Sequence, residues 1–479
     1  MRSLFLGYLR LFVLPLFLHM GLTGQFLMGA EHPLALHPDN PHYFLFRGKP
    51  TILLTSGEHY GAVLNRDFDY VPYLNELQAR KFNLTRTFSG VYREVSGSFN
   101  IVENTLAPAA DRFLCPWARR GNKFDLEKWD ADYFARLKDF VAQAGKRGIV
   151  VELSLFCTIY EDKLWAVNPM NAANNVQGIG KIGRLEVYTL KDKTLTAVQE
   201  ALVRKLAAEL KDFDNVYYEV CNEPYFGGVT REWNDRMIAV LRDAEKSFPA
   251  RHLIAQNISN GSTKIDRPNP HVSLFNFHYS TPPNSVAMNA KLGKAIGDDE
   301  TGFRGTGDLA YRTEAWEFML AGGALYSNLD YSFSCKHPDG TAKVTTSPGG
   351  GGPALRKQLQ ILKEFMDGMD FVAMRPDNGV LKGGHITAPL TGNPPEAKAT
   401  ARALVAPGRA YAMYVRGGTQ ATLEVQMPAG KYRAEWINTK TGAVDKSEDF
   451  EHSGGTKALA SPGYREDIAL RVRRAKAQP

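Results

Sequence analysis

The stretch that most constrains this chain spans residues 216–225. Val216, Tyr217, Tyr218, Val220 and Cys221 make an apolar, β-branched and aromatic run, the pattern of a buried strand. The run ends abruptly at Asn222, Glu223 and Pro224. Proline cannot donate to a sheet ladder, so the strand stops there. A carboxylate is thereby placed at the C-terminal tip of a buried strand. In a barrel of parallel strands, that end carries the chemistry.

A second stretch has the same form. Ala295 and Ile296 open a short strand that ends at Glu300, 77 residues after Glu223. Two carboxylates on two strand tips are what retaining glycoside hydrolysis needs. One protonates the leaving oxygen, and the other attacks the anomeric carbon from about 5–5.5 Å away. Taken singly, each glutamate fits a loop cap or a lysine partner equally well. The pair together points to catalysis.

The rest of the chain alternates strands with helices, which implies parallel βαβ units and an α/β fold, a (β/α)8 TIM barrel. Residues 43–50 form an entry hairpin. The spacing places strands at 51–55, 82–87, 148–156, 216–222, 252–257, 272–278, 294–300 and 324–330. Helices are expected at 70–80, 126–146, 198–210, 231–246, 311–320 and 354–365, within a ring of eight. The long connection after the third strand, residues 157–193, contains Tyr160 and Trp165, and loops of that length are usually functional. Four glycines at 349–352 suggest a mobile rim. From about residue 371 the pattern turns to short alternating strands separated by Gly and Asn turns, a small antiparallel β-sandwich. The expected domains are a signal peptide over 1–30, a catalytic barrel over 31–368 and a β-sandwich module over 369–479.

The signal-peptide reading rests on Arg2 and Arg10 flanking an apolar segment at 11–22, followed by small residues. It predicts a secreted or periplasmic protein without a membrane span once the segment is removed. The formal charge of +7, or +5 without those two arginines, comes from scattered lysines and arginines rather than a basic patch, which argues against nucleic acid as a partner. Cys115, Cys157, Cys221 and Cys335 lack metal-ligand spacing and are too few for a disulfide scaffold. No metal or other cofactor is expected.

With Asn222, Glu223 and Pro224, with Glu300, Thr301 and Gly302, with Arg86 after residues 82–85, and with His278 and Tyr279, the chain resembles a clan-A glycoside hydrolase of the family-five cellulase and mannanase kind. The resemblance covers residues 44–368. It implies Glu223 as acid/base, with a carboxyl raised by burial and a negative neighbour, and Glu300 as nucleophile. It implies Arg86 as a donor to the nucleophile and Asn222 as a partner of the sugar 2-hydroxyl. In the family one residue commonly separates the histidine from the tyrosine. Here His278 and Tyr279 are adjacent, so one of the two can point away. The family's tryptophan on strand eight is replaced by Asn328, Asp330 and Tyr331. His59 and Tyr60 at the tip of strand one, and Trp165, are the candidates for further sugar contacts. The implied substrate is an oligo- or polysaccharide. The competing class is a non-catalytic carbohydrate-binding barrel, which the presence of both glutamates disfavours.

Overall fold

The computed structural model describes residues 33–387 and 399–475. The expected signal segment lies outside the described residues.

Eight parallel strands form one sheet: β1 (Leu53–Gly57), β2 (Leu84–Phe88), β3 (Val150–Cys157), β4 (Val216–Asn222), β5 (Ile254–Asn260), β6 (Leu274–His278), β7 (Ala295–Thr301) and β8 (Leu325–Leu329). Their order runs β1-β8-β7-β6-β5-β4-β3-β2, and the ring closes where Asn83 donates its backbone N–H to the Leu54 carbonyl. Every strand except β5 is buried along its full length, because helices cover the outside and side chains fill the inside.

The covering helices are α1 (Tyr70–Ala79), α2 (Ala131–Lys146), α3 (Lys193–Leu210), α4 (Arg231–Ala244), α5 (Asn284–Asn289), α6 (Asp308–Leu320) and α7 (Pro353–Asp367). Two expectations are corrected. Helix α2 begins at Ala131, capped by Asp130, whose side chain accepts from the Tyr133 N–H. The residues before it, Lys123–Trp129, form a hairpin strand with Trp117–Arg120, because apolar positions at Phe124 and Leu126 alternate with charged ones. The ring also has seven helices among the described residues. The β5–β6 connection carries Pro268 and Pro270 and forms no helix.

The glycine loop after β8 is not a loose rim. Gly350 and Gly352 donate their backbone N–H groups to Tyr311 Oη (3.1 Å) and Asp330 Oδ1 (2.9 Å). At Gly351 φ is 132°, and a Cβ there would meet Asp330 Oδ1 at 2.0 Å.

The C-terminal part holds a six-stranded and a three-stranded antiparallel sheet, packed over a core containing Trp436, Met413, Leu423 and Leu459. It docks against α6. Trp316 stacks on Tyr414 with centroids 5.4 Å apart, and the buried Arg312 guanidinium grips Asp467 at 2.7 Å. The C-terminal sheets thus pack on the barrel through a polar and aromatic seam.

Candidate active site

Four non-glycine residues at the mouth of the barrel have left-handed backbone: Tyr60 (φ 57°), Glu223 (φ 49°), Tyr279 (φ 53°) and Phe303 (φ 51°). Each follows a strand, and each side chain faces one shared cavity. Such conformations cost on the order of 1–3 kcal/mol apiece and persist only where the surroundings impose them. Here they re-aim side chains. A strand sends successive residues to opposite faces. The left-handed turn at Tyr279 breaks that alternation, so His278 and Tyr279 both reach the site, His278 towards Glu223 and Tyr279 towards Glu300.

Glu300 accepts three hydrogen bonds. Tyr60 Oη donates to Oε2 at 2.8 Å, Tyr279 Oη to Oε1 at 3.1 Å, and Arg86 Nη1 to Oε2 at 3.3 Å. Donors from three elements fix the orientation of this carboxylate. The Arg86 guanidinium also lies 4.6 Å from the Tyr60 ring centroid, which fixes both side chains.

Glu223 is gripped from the other side. Its carboxylate accepts from Tyr160 Oη, lies 3.2 Å from Tyr225 Oη and bonds His278 Nδ1 at 3.1 Å. His278 Nδ1 is also 3.5 Å from Glu300 Oε1, and carboxylate oxygens of Glu223 and Glu300 lie within 4.8 Å of each other. The expected rise of the Glu223 carboxyl is corrected. Burial does push it up, but the hydrogen bond and charge of His278, with the two tyrosines, outweigh burial and hold it below its ordinary range. Conversely, burial pushes His278 down, yet Glu300 and Asp299 outweigh it and raise the imidazole well above its usual value. Asp299 Oδ1 faces His278 Nε2 at 3.3 Å.

Beneath these groups lies a fully buried charged layer. Arg86 Nη2 donates to Glu219 Oε2 and to Asn222 Oδ1 (2.7 Å), and its guanidinium is 3.5 Å from both Glu152 and Asp299. Asn222 in turn donates to Tyr160 Oη at 2.9 Å, linking Arg86 to the group that holds Glu223. Burial and Asp299 push Glu152 well above the usual carboxylate range. Burial is outweighed at Asp299 by Arg86 and His278, which hold it at about 2. The β6–β7 register shifts at this point, which lets Asp299 face the buried layer while Glu300 faces the cavity. Asp298 turns instead to the Ser280 backbone N–H.

Two carboxylate clusters have the spacing of metal ligands, Glu223–His278–Glu300 and Glu152–Glu219–Asp299. In the inner cluster Arg86 already supplies positive charge, 2.5 Å from Glu219 and 3.5 Å from Glu152 and Asp299.

The cavity between the glutamates measures about 320 Å³. His59, Tyr60, Asn222 and Tyr279 line it together with both glutamates, and Arg86 and His278 support it from below. Trp165 does not line it. Its indole N–H donates to the Ile182 carbonyl at 2.9 Å, and the ring is buried within the loop after β3. The sequence reading missed Tyr160 and Tyr225 as partners of Glu223, Glu94 beside His59 (3.5 Å), and the aromatic rim of Phe99, Phe226 and Phe303. Tyr225 was the legible one, since it directly follows Pro224.

The model of the cellulase family, glycosyl hydrolase family 5, matches residues 75–310. A comparison with curated proteins returns no match. Solved structures of similar fold include a candidate glycoside hydrolase from Bacteroides vulgatus ATCC 8482, 14% identical, with 93% of this chain and 83% of that one covered at a TM-score of 0.64. A family 5 glycoside hydrolase from the same organism is 16% identical over 92% of this chain and 93% of that one, with a TM-score of 0.59. At such identities the likeness is one of fold. Residues 75–310 of this chain thus match the glycosyl hydrolase family 5 model, and they lie in a (β/α)8 barrel that is followed by C-terminal antiparallel sheets.

Proposed function

We propose that the protein is an exported retaining glycoside hydrolase that cleaves β-glycosidic bonds of an oligo- or polysaccharide. The observation that carries this reading is the pair Glu223 and Glu300, with carboxylate oxygens within 4.8 Å across one cavity. Retaining enzymes use a separation of about 5–5.5 Å, and inverting ones leave about 6.5–9.5 Å for a water.

Glu300, charged and fixed by Tyr60, Tyr279 and Arg86, attacks the anomeric carbon and forms a glycosyl ester. Glu223 delivers a proton to the leaving oxygen and then takes one from water. In this reading Glu223 shares that proton with His278 along the 3.1 Å bond, and the loss of water on sugar entry favours its transfer from Nδ1 to Glu223 Oε1. Export belongs to the same reading and is supported by the apolar segment behind Arg2 and Arg10.

The test uses aryl β-glycosides and azide. Glu223→Ala should keep glycosylation by good leaving groups, stall on the ester, and turn over again with azide to give a β-glycosyl azide. Glu300→Ala with azide should give the inverted product. Exchanged products would reverse the roles. A wild-type protein inert over a broad panel, yet binding sugars, would move the assignment to a carbohydrate-binding barrel.

A further inference from the structure

The loop after β2, residues 89–116, crosses the barrel mouth. Phe99 from this loop meets Tyr160, which follows β3, at 5.3 Å between centroids, and Phe303, which follows β7, at 6.4 Å. Strands β3 and β7 stand on opposite sides of the ring, four places apart. The crossing is anchored rather than loose. Glu103 accepts from Ser334 Oγ (2.7 Å) and Lys336 Nζ (2.5 Å) in the loop after β8, and Val102 N–H donates to Ser347 Oγ (3.3 Å). Glu94 and Asn104 bond each other within the loop. On this side the cavity ends in a polar wall. The buried His59 has no partner at Nδ1 and only Glu94 Oε1, 3.5 Å away, at Nε2, and the Tyr331 hydroxyl beside it has no hydrogen-bond partner. Phe226, which packs on Tyr160 at 5.7 Å between centroids, also lines the cavity and is 52% exposed.

A sugar chain that runs through a cleft needs room on both sides of the bond cut. Here the anchored loop crosses the mouth, and at about 320 Å³ the cavity sits at the small end of ligand pockets, which span about 300–1,000 Å³. No lysine or arginine lines it, while three carboxylates do: Glu94, Glu223 and Glu300. A sugar acid would therefore be repelled. We infer that the site accepts one neutral terminal sugar, with His59 and its neighbours bonding the end hydroxyls, and that cleavage proceeds from the chain end. This rests on the glycosidase reading above and narrows its substrate to chain termini.

The experiment digests reducing-end-labelled hexamers of β-1,3- and β-1,4-linked glucose and β-1,4-linked mannose with the wild-type protein. The expected first products are a free monosaccharide and a labelled pentamer. Early labelled dimers or trimers would overturn the inference while leaving the glycosidase reading intact. In parallel, monomers to hexamers are titrated against Glu300→Gln. Affinity should change by less than about threefold beyond the dimer, whereas tightening of about tenfold per added sugar, near 1.4 kcal/mol each, would overturn the pocket. Phe99→Ala and Glu103→Ala should open the wall and let mid-chain products form. No hydrolysis and no binding across the panel would remove the glycosidase reading, and this one with it.

Discussion

Glu300 is fixed by three donors that can be removed singly. Tyr60→Phe and Tyr279→Phe each delete one hydroxyl to the carboxylate and leave the ring packing. A hydrogen bond to a charged group contributes about 1.5–3 kcal/mol, so each variant should lower kcat/KM by about tenfold to a hundredfold with little change in Tm. A large fall in Tm would make these hydroxyls structural. His278 and Glu223 carry opposite shifts, and their signs can be checked. His278 is raised, so its contribution is complete below about pH 6.5 and fades as pH climbs through its higher folded value. Glu223 is lowered, so its contribution is present at neutral pH and fades only as pH falls through its depressed value. The Tm should therefore decline above about pH 6.5, and His278→Gln should flatten that decline. In the same variant the alkaline limb of kcat/KM should move to lower pH, because the pair loses its last proton from the imidazole. An unmoved limb would place the proton elsewhere. At this scale Glu223 was the legible residue, since it closes the apolar run of β4, whereas Glu300 follows two aspartates and Arg86 stands in the middle of β2. Tyr160 and Phe99 were not legible, since nothing local marks which loop residue folds over a distant strand.

Strand positions were legible to within a few residues, because both faces of a parallel barrel strand are apolar. Helix limits were less so. Residues 123–129 carry apolar groups that also suit a helix, and the hairpin partner Trp117–Arg120 decides the matter. The glycine loop shows the same limit. Composition suggests looseness, yet Gly350 and Gly352 are pinned and Gly351 has no room for a side chain. Gly351→Ala combines a φ of 132° with a clash against Asp330, whose carboxylate also binds Arg356 at 2.7 Å. It should destabilise by more than about 2 kcal/mol in chemical denaturation. A change under about 0.5 kcal/mol would mean the loop yields freely.

For the molecule as a whole, the seam between barrel and C-terminal sheets is a buried charge pair with a stacked aromatic pair beside it. Removing one partner strands the other, so Arg312→Ala should cost about 3–5 kcal/mol, while Arg312→Met with Asp467→Leu should recover most of it. Calorimetry should give one joint unfolding transition. Two separate transitions would show that the parts stand alone. The two-part plan was legible from the change of pattern near residue 371, but the seam was not, because Arg312 and Asp467 are 155 positions apart. Helix α6 lies between the seam and the site. Its Glu314 accepts from the Thr301 hydroxyl, next to Glu300, at 2.9 Å, and two residues earlier Arg312 is clamped by the C-terminal sheets. Recombination that exchanged those sheets for another cassette would thus reach Glu300 through one helix turn. A chain trimmed after Asp367 would release the clamp on Arg312 and loosen the helix that holds Thr301.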